Sequence, residues 1–453
     1  MRVHFIAIGG SVMHNLAIAL ANKGYLVSGS DDYIYEPSRT NLAHHGLLPD
    51  PLGWFPERIT EDMNAVVLGM HAKADNPELL RAQELGLQIY SYPDYIYEQS
   101  KEKTRVVIGG SHGKTTITSM IMHVLKVTGR DFDYVVGAKL EGFDTMVNIT
   151  KDAPLIIIEG DEYLASAIDR RPKFLLYRAN IALISGIAWD HINVFPTYQK
   201  YVDQFKLFIK SIEDKGTLVY NKDDKEVQKL VSSDNSNINK HGYRLPDFTI
   251  NKGISYLHTN KGEVQLQIFG KHNLSNLSGA FTVCEWLGVS REEFYKAISS
   301  FKGASRRLEY VADYNGSVVY KDFAHSPSKV KASIEAVKEQ YPENKLIAII
   351  ELHTFSSLNE EFLQEYKDTV QEADEAVVFI DQQSFRQKNI QPIEVSTIKK
   401  AFNREDIVYF NDVVHLESYI DNMQPLHKNL LFMSSGNFGG INLVNLSDRF
   451  FNS

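Results

Sequence analysis

Residues Val106-Val107-Ile108-Gly109-Gly110-Ser111-His112-Gly113-Lys114-Thr115-Thr116 join an apolar β-type run to a helix start through a glycine-rich turn. That order reads as a phosphate cradle. Glycines let backbone N–H groups converge on phosphate oxygens, the helix start adds partial positive charge, Lys114 neutralises the β- and γ-phosphates, and Thr115 offers a hydroxyl to Mg2+. The usual loop of this kind has one more glycine, where this chain has Ile108, so the loop is a shorter variant, Gly-Gly-x-x-Gly-Lys-Thr-Thr. The bland alternative is a strand-to-helix turn with a solvated lysine; strand, loop and helix in the right order favour the cradle.

The flanking runs support it. Leu155 to Ile158 is continuously aliphatic and ends in Glu159-Gly160-Asp161-Glu162. Ligands gather at the carboxyl ends of parallel strands, so Glu159 is the favoured metal ligand facing the cradle. Asp161 or Glu162 could instead cap a helix. A second aliphatic run, Ile181 to Ile187, leads to Trp189-Asp190-His191, and residues 198 to 212 show an amphipathic helix with Phe205, Phe208, Ile209 and Ile212 on one face.

Upstream, residues 3 to 8 form a strand ending at Gly9-Gly10, Met13 to Asn22 has helical spacing, and Val27 to Ser30 is a second strand capped by Asp31. This is a βαβ opening of Rossmann type. The strict dinucleotide fingerprint needs glycines at Ser11 and His14, so a nucleotide diphosphate at the Gly10 loop fits better than NAD. Ala65 to Leu68 and Gln88 to Tyr90 continue that sheet, separated by a helix starting at Asn76-Pro77-Glu78. Polarity rises between Tyr97 and Lys103, marking a first boundary, and Phe301-Lys302-Gly303 marks a second.

Between the boundaries, Ser232 to Lys240 reads as a mobile loop. Gly270 to Asn276 precedes a helix from Leu277 to Leu287, where polar side chains can bond an adenine edge or simply cap. Beyond residue 303, Arg306-Arg307 are placed to grip a transferred phosphoryl group, unless they are surface charges. The turn Asp322-Phe-Ala-His325-Ser-Pro327, a helix from Ser328 to Gln340 and strands at 346–350, 376–380 and 430–433 complete a further α/β domain.

A chain of 453 residues exceeds one hydrophobic core, and its net charge of −9 opposes a nucleic-acid or membrane-surface role. A lone cysteine, Cys284, and the lack of a long apolar run suit a reducing cytoplasm and small-molecule partners.

Together, Gly110-Ser-His-Gly-Lys-Thr-Thr116, Glu159-Gly-Asp-Glu162, Asp190-His191, His272-Asn273 with Asn276, Arg306-Arg307 and Asp322-Phe-Ala-His325 resemble the Mur ligases, ATP-dependent amide-forming enzymes of bacterial cell-wall synthesis and recycling. The resemblance implies an α/β chain of three domains: a Rossmann-like UDP-sugar domain over 1–102, a central P-loop ATPase-like domain over 103–302, and a Rossmann-like amino acid or peptide domain over 303–453. It implies ATP and two Mg2+ sites as cofactors, with no nucleic acid or membrane partner. Lys114, Glu159, His191 and Arg307 become catalytic residues; Thr115, Glu159 and His191 become metal ligands. Gly110, Ser111, His112, Gly113, Lys114, Thr115, Thr116, His272, Asn273, Asn276, Arg307 and Asp322 would hold ATP. Gly10, Ser11, Val12, Met13, Asp31, His71, Asn76 and His325 would face the other substrates.

The opening Ile8-Gly9-Gly10-Ser11-Val12-Met13 looks like the branch that uses UDP-N-acetylmuramate itself, with either L-alanine or the tripeptide L-Ala-γ-D-Glu-meso-diaminopimelate as the amine. Glu159 to Tyr163 and Met433 to Gly440 are more similar to the tripeptide-adding members, and the tripeptide is the expected acceptor. Three departures stand against simple transfer. Lys321 replaces an acid, Ser326 replaces a histidine, and Leu352-His-Thr-Phe-Ser356 replaces Pro-Arg-Ser-Asn-Thr, removing an expected carboxylate clamp. These departures also keep open a non-catalytic UDP-sugar-binding homologue. Lys206, one helix beyond His191, matches the place where several Mur ligases carry a carbamylated lysine, although a lysine beside Phe205 can equally snorkel along an apolar face.

Overall fold

The computed structural model describes residues 1–190, 194–304 and 307–452. Short aliphatic runs bounded by glycines become parallel strands with helices between them, because a strand buried on both faces must be apolar throughout. The first sheet contains β1 (Arg2–Ile6), β2 (Leu26–Ser30), β3 (Ala65–Leu68) and β4 (Ile89–Ser91), in the order β2-β1-β3-β4 and wholly parallel. β1 stops at Ile6 rather than at residue 8. Ala7 turns into the left-handed region at φ 67°, and the N–H groups of Ala7 and Ile8 both reach the Ser30 carbonyl.

The second sheet is built from β5 (Thr104–Gly109), β6 (Asp133–Val135), β7 (Val147–Asn148), β8 (Leu155–Glu159), β9 (Ile181–Ile184), β10 (Thr217–Asn221) and β11 (Asn239–Tyr243). Its order is β11-β10-β9-β5-β8-β6-β7, parallel except for β7. The central strand β5 carries the cradle at its carboxyl end, and β8 and β9 flank it.

Within the segment 232–240 only residues 234–238 lie outside helix and strand, so the expected loop is shorter than its nine residues. The Asp224 carboxylate accepts from the Val227 N–H at 2.9 Å and starts the helix Lys225–Ser233, whose Val227, Leu230 and Val231 are buried. The chain then enters the edge strand β11, whose outward side chains are polar because an edge strand meets water on one side.

An antiparallel sheet of β12 (Phe248–Asn251), β13 (Ile254–Thr259) and β14 (Gly262–Gln265) follows, too polar to be read from hydrophobic runs. The last sheet contains β15 (Glu309–Tyr314), β16 (Ser317–Asp322), β17 (Lys345–Glu351), β18 (Glu375–Phe379), β19 (Val408–Phe410) and β20 (Lys428–Met433). The order is β15-β16-β20-β17-β18-β19, with only β15 antiparallel. The small sheet packs on the helix Pro327–Gln340: Ser255 Oγ donates to Gln340 Oε1 at 3.3 Å, and Gln340 Nε2 donates to the Gly253 carbonyl at 2.5 Å.

The described chain divides into two compact units. One comprises Met1–Ile187, Gln199–Tyr243 and Gly279–Glu293, and holds the first two sheets. The other comprises Ala188–Tyr198, Arg244–Ser278 and Phe294–Ser453, and holds the small sheet and the last one. Among the described residues no helix is long and apolar enough to cross a membrane. Cys284 is buried in the helix Lys271–Trp286, and burial raises its thiol pKa.

A buried ion pair anchors the start of the second sheet. Lys103 Nζ lies 2.6 Å from Asp133 Oδ2, 3.0 Å from the Thr150 carbonyl and 2.9 Å from the Ala153 carbonyl. Asp133 also accepts from the Thr150 N–H and hydroxyl. Asp133→Ala would strand a buried ammonium, so a loss of about 3–5 kcal/mol is expected, read as a lower urea midpoint with an unchanged slope.

Candidate active site

The cradle is built by glycine geometry and held by its neighbours. Gly110 has φ 131°, and a Cβ there would stand 2.1 Å from Ser185 Oγ, so only glycine fits against the exit of β9. The Ser111 N–H donates to the Gly186 carbonyl at 3.0 Å, and the Ser185 hydroxyl to the His112 carbonyl. Gly113, at φ 78°, opens the helix Lys114–Val127 without a side-chain cap, the kind of helix start that suits an anion.

Two carboxylates meet the loop. Thr115 Oγ1 donates to Glu159 Oε1 at 2.8 Å, while Glu159 Oε2 accepts from the Gly137 N–H at 3.1 Å. Lys114 Nζ donates to the Gly110 carbonyl at 2.6 Å and to Glu162 Oε2 at 2.7 Å. Burial opposes the Lys114 charge, but Glu162, Asp161 and Glu159 outweigh it and raise the ammonium pKa.

Sequence reading assigned Glu162 at most a capping role. The structure buries it completely and pairs it with Lys114. Asp161 turns away to Lys173 at 2.6 Å. Tyr201, missed altogether, contacts both Ser111 and Glu162; the only signal was a tyrosine on the buried face of an otherwise Phe- and Ile-lined helix. Lys206 is exposed on that helix, while Phe205, Phe208 and Ile209 are buried.

At the carboxyl edge of the first sheet, Gly10 and Ser11 open the helix Ser11–Asn22, again with no side-chain cap. Ser11 is exposed, Val12 is half-buried and Met13 is buried, so Met13 presents backbone at most. Asp31 is turned onto its own loop: Oδ2 accepts from the Gly9 N–H at 2.7 Å. Burial raises its carboxyl pKa, and Asp32 adds to that rise while Gly9 opposes it. His71 is exposed beyond β3. Asn76 is buried, its Oδ1 capping the helix Pro77–Glu84 through the Glu78 and Leu79 N–H groups.

In the second unit, His272, Asn273 and Asn276 lie inside the helix Lys271–Trp286, which begins earlier than the expected Leu277. Asn273 Nδ2 donates to the Phe269 carbonyl at 2.9 Å. Asp322 ends β16 and accepts from the Ser333 hydroxyl. The Arg307 guanidinium lies 4.8 Å from the Phe323 ring centre. Burial lowers the His272 pKa, with nearby Asp322 opposing and Arg307 reinforcing. Lys329 Nζ reaches Asp190 Oδ2 at 3.4 Å. His191 and Arg306 lie outside the described residues.

The altered positions have their own partners. Lys321 pairs with Glu309 at 3.0 Å, and Ser326 is buried at the start of the helix Pro327–Gln340. His353 Nε2 is 2.8 Å from Ser435 Oγ, and Glu351, buried at the end of β17, accepts from the Ser434 hydroxyl and the Phe438 N–H.

Among the described residues no group of three or more His, Cys, Asp or Glu is placed to hold a metal. The Thr115 and Glu159 oxygens are nevertheless hard donors of the kind Mg2+ takes alongside phosphate and water.

Family models match three successive parts of the chain: "Mur ligase family, catalytic domain" over residues 2–104, "Mur ligase middle domain" over 108–284, and "Mur ligase, glutamate ligase domain" over 306–436. The UDP-N-acetylmuramate–L-alanine ligase of Caldicellulosiruptor bescii is 33% identical over 406 residues, 85% of each chain. That of Carboxydothermus hydrogenoformans is 29% identical over 98% of this chain and 95% of its own. In fold, the chain is similar to a murein peptide ligase from Psychrobacter arcticus, with TM-score 0.65, 21% identity and coverage of 100% and 99%. It is also similar to a UDP-N-acetylmuramate-alanine ligase from Thermotoga maritima, with TM-score 0.69, 20% identity and coverage of 100% and 98%.

An ATP-dependent, ADP-forming ligase is the class these findings define. The chain belongs to the Mur ligase family.

His325 supplies a pH test. Burial, reinforced by Lys329, lowers its pKa from 6.5 to about 4, against the opposing bond to the Phe323 carbonyl. The folded imidazole is therefore neutral where the unfolded one takes a proton. Its contribution is complete above pH ~6.5 and declines as pH falls toward 4, by up to ~3 kcal/mol. His325→Gln should flatten the fall of thermal midpoint between those two pH values.

Proposed function

We propose that this chain joins the lactyl carboxylate of UDP-N-acetylmuramate to an amine through an acyl phosphate, and that the amine is L-alanine. The pairing of Lys114 and Thr115 with carboxylates on one glycine loop carries the phosphoryl-transfer part of this reading. The names of the curated relatives carry the L-alanine part. They move the acceptor from the tripeptide favoured by sequence motifs to the single amino acid.

In the reaction, a carboxylate oxygen bonds to the γ-phosphorus and the bond to ADP breaks. The amine, having lost a proton, then attacks the acyl carbon, and inorganic phosphate leaves. Lys114 and the N–H groups of residues 110–116 neutralise and orient the phosphates, and Arg307 holds the γ-phosphoryl group. Mg2+, when bound by Thr115 and Glu159, with His191 at a second site, supplies Lewis-acid neutralisation of phosphate oxygens. His272, Asn273 and Asn276 face adenine and Asp322 the ribose. Gly10, Ser11, Val12 and Met13 receive the UDP diphosphate at the helix start, with Asp31 bracing the loop, Asn76 capping the helix after β3, and His71 and His325 beside the substrates. The division into 1–102, 103–302 and 303–453 assigns these tasks to successive domains, and ATP and a UDP-sugar place the enzyme in the cytoplasm.

A second reading keeps the tripeptide as acceptor, favoured by the segment Met433 to Gly440, which folds against Glu351 and His353 beside the altered 352–356 loop.

Phosphate release from ATP and UDP-N-acetylmuramate, measured with L-alanine and with the tripeptide in separate reactions, is expected with L-alanine. Release with the tripeptide alone would replace the acceptor, and release with neither would favour a non-catalytic UDP-sugar-binding protein. Lys114→Ala should reduce the active reaction ~10²–10³-fold without loss of UDP binding.

A further inference from the structure

We propose that Tyr201 is a positioning residue for the phosphate loop, its hydroxyl holding Glu162 and Ser111 so that Lys114 is free to turn toward ATP. The inference rests on the reading of residues 110–116 as the ATP cradle.

Tyr201 is fully buried on the helix Tyr198–Lys210, with its ring edge-on to Phe205 at 5.3 Å. Its hydroxyl lies 2.8 Å from Ser111 Oγ and 3.0 Å from Glu162 Oε1. An ionised carboxylate can only accept, so the phenol proton goes to Glu162, and the Ser111 hydroxyl donates to the phenol oxygen. The other oxygen of Glu162 takes Lys114 at 2.7 Å. The resulting chain, Ser111 to Tyr201 to Glu162 to Lys114, leaves the loop and returns to it.

Packing alone does not require this hydroxyl. The neighbouring buried positions on the same helix are Phe205 and Phe208, and a phenyl ring fills such a site equally well. What the oxygen adds is a partner for a carboxylate with no exposure to water. A buried carboxylate whose lone pairs are unmet is costly and clings to any nearby cation. When phosphate draws Lys114 away, Tyr201 keeps Glu162 satisfied and in place. Without that bond, Glu162 keeps a stronger hold on Lys114 against the pull of the phosphate.

The test is Tyr201→Phe in the full chain. The KM for ATP should rise about tenfold, with kcat at saturating ATP and the KM for UDP-N-acetylmuramate little changed. In a Glu162→Gln background the same substitution should change the ATP KM less than about twofold, because both act through one group. An unchanged ATP KM in folded Tyr201→Phe overturns the proposal, as does an equal rise in both KM values, which marks a purely structural role. If Tyr201→Phe does not fold, Glu162→Gln alone carries the comparison, and an ATP KM left at the wild-type value there overturns the proposal. Calorimetry of the wild-type chain separates the two levels: no ATP binding removes the cradle reading itself, whereas normal binding with an insensitive Tyr201→Phe removes only the role of Tyr201.

Discussion

An ammonium group that is only 16% exposed keeps its charge because carboxylates surround it, and that balance at Lys114 organises the loop around it. Glu162 contacts the lysine directly, while Glu159 and Asp161 act on it through space. The second and third of these acids belong to other duties, on Thr115 and Lys173, so no one of them is redundant. An anion entering the loop would therefore meet a cation that is already charged, replacing one anion by another rather than creating a charge in a dry place.

The arrangement is possible because the sheets are parallel. β5, β8 and β9 run side by side in one direction, so the loops after Gly109, Glu159 and Ile184 emerge at one edge although dozens of residues separate them in sequence. The first sheet repeats the device on a smaller scale, with the helix start at Gly10 beside the end of β2. There the acid Asp31 bonds to the loop itself through the Gly9 N–H, bracing the turn from within.

Much of this was legible in the sequence because aliphatic runs interrupted by glycine leave few alternatives. The strands at 65–68 and 155–159, the glycine turn between β5 and its helix, and the placing of Glu159 beside that turn all follow from local pattern. What escaped depended on partners distant in the chain or on polarity. β11 to β14 are half-exposed edge or small-sheet strands, whose side chains alternate too weakly to be seen. Tyr201 escaped because nothing in its neighbourhood in the chain reveals the Glu162 side chain opposite it. Asn76 misled in the other direction: a polar residue before Pro77 suits a binding loop as well as a helix cap, and the cap is what forms.

The seat of the small sheet has a consequence for dissecting the molecule. Gly253 and Ser255 are gripped by Gln340, so the ribbon of β12 to β14 is wedded to a helix encoded far downstream. A fragment beginning after residue 303 would keep Gln340 yet forfeit the ribbon that covers it, and one ending before that point would carry the ribbon without its support. Severing the gene at an apparent linker would thus leave raw surface on both products.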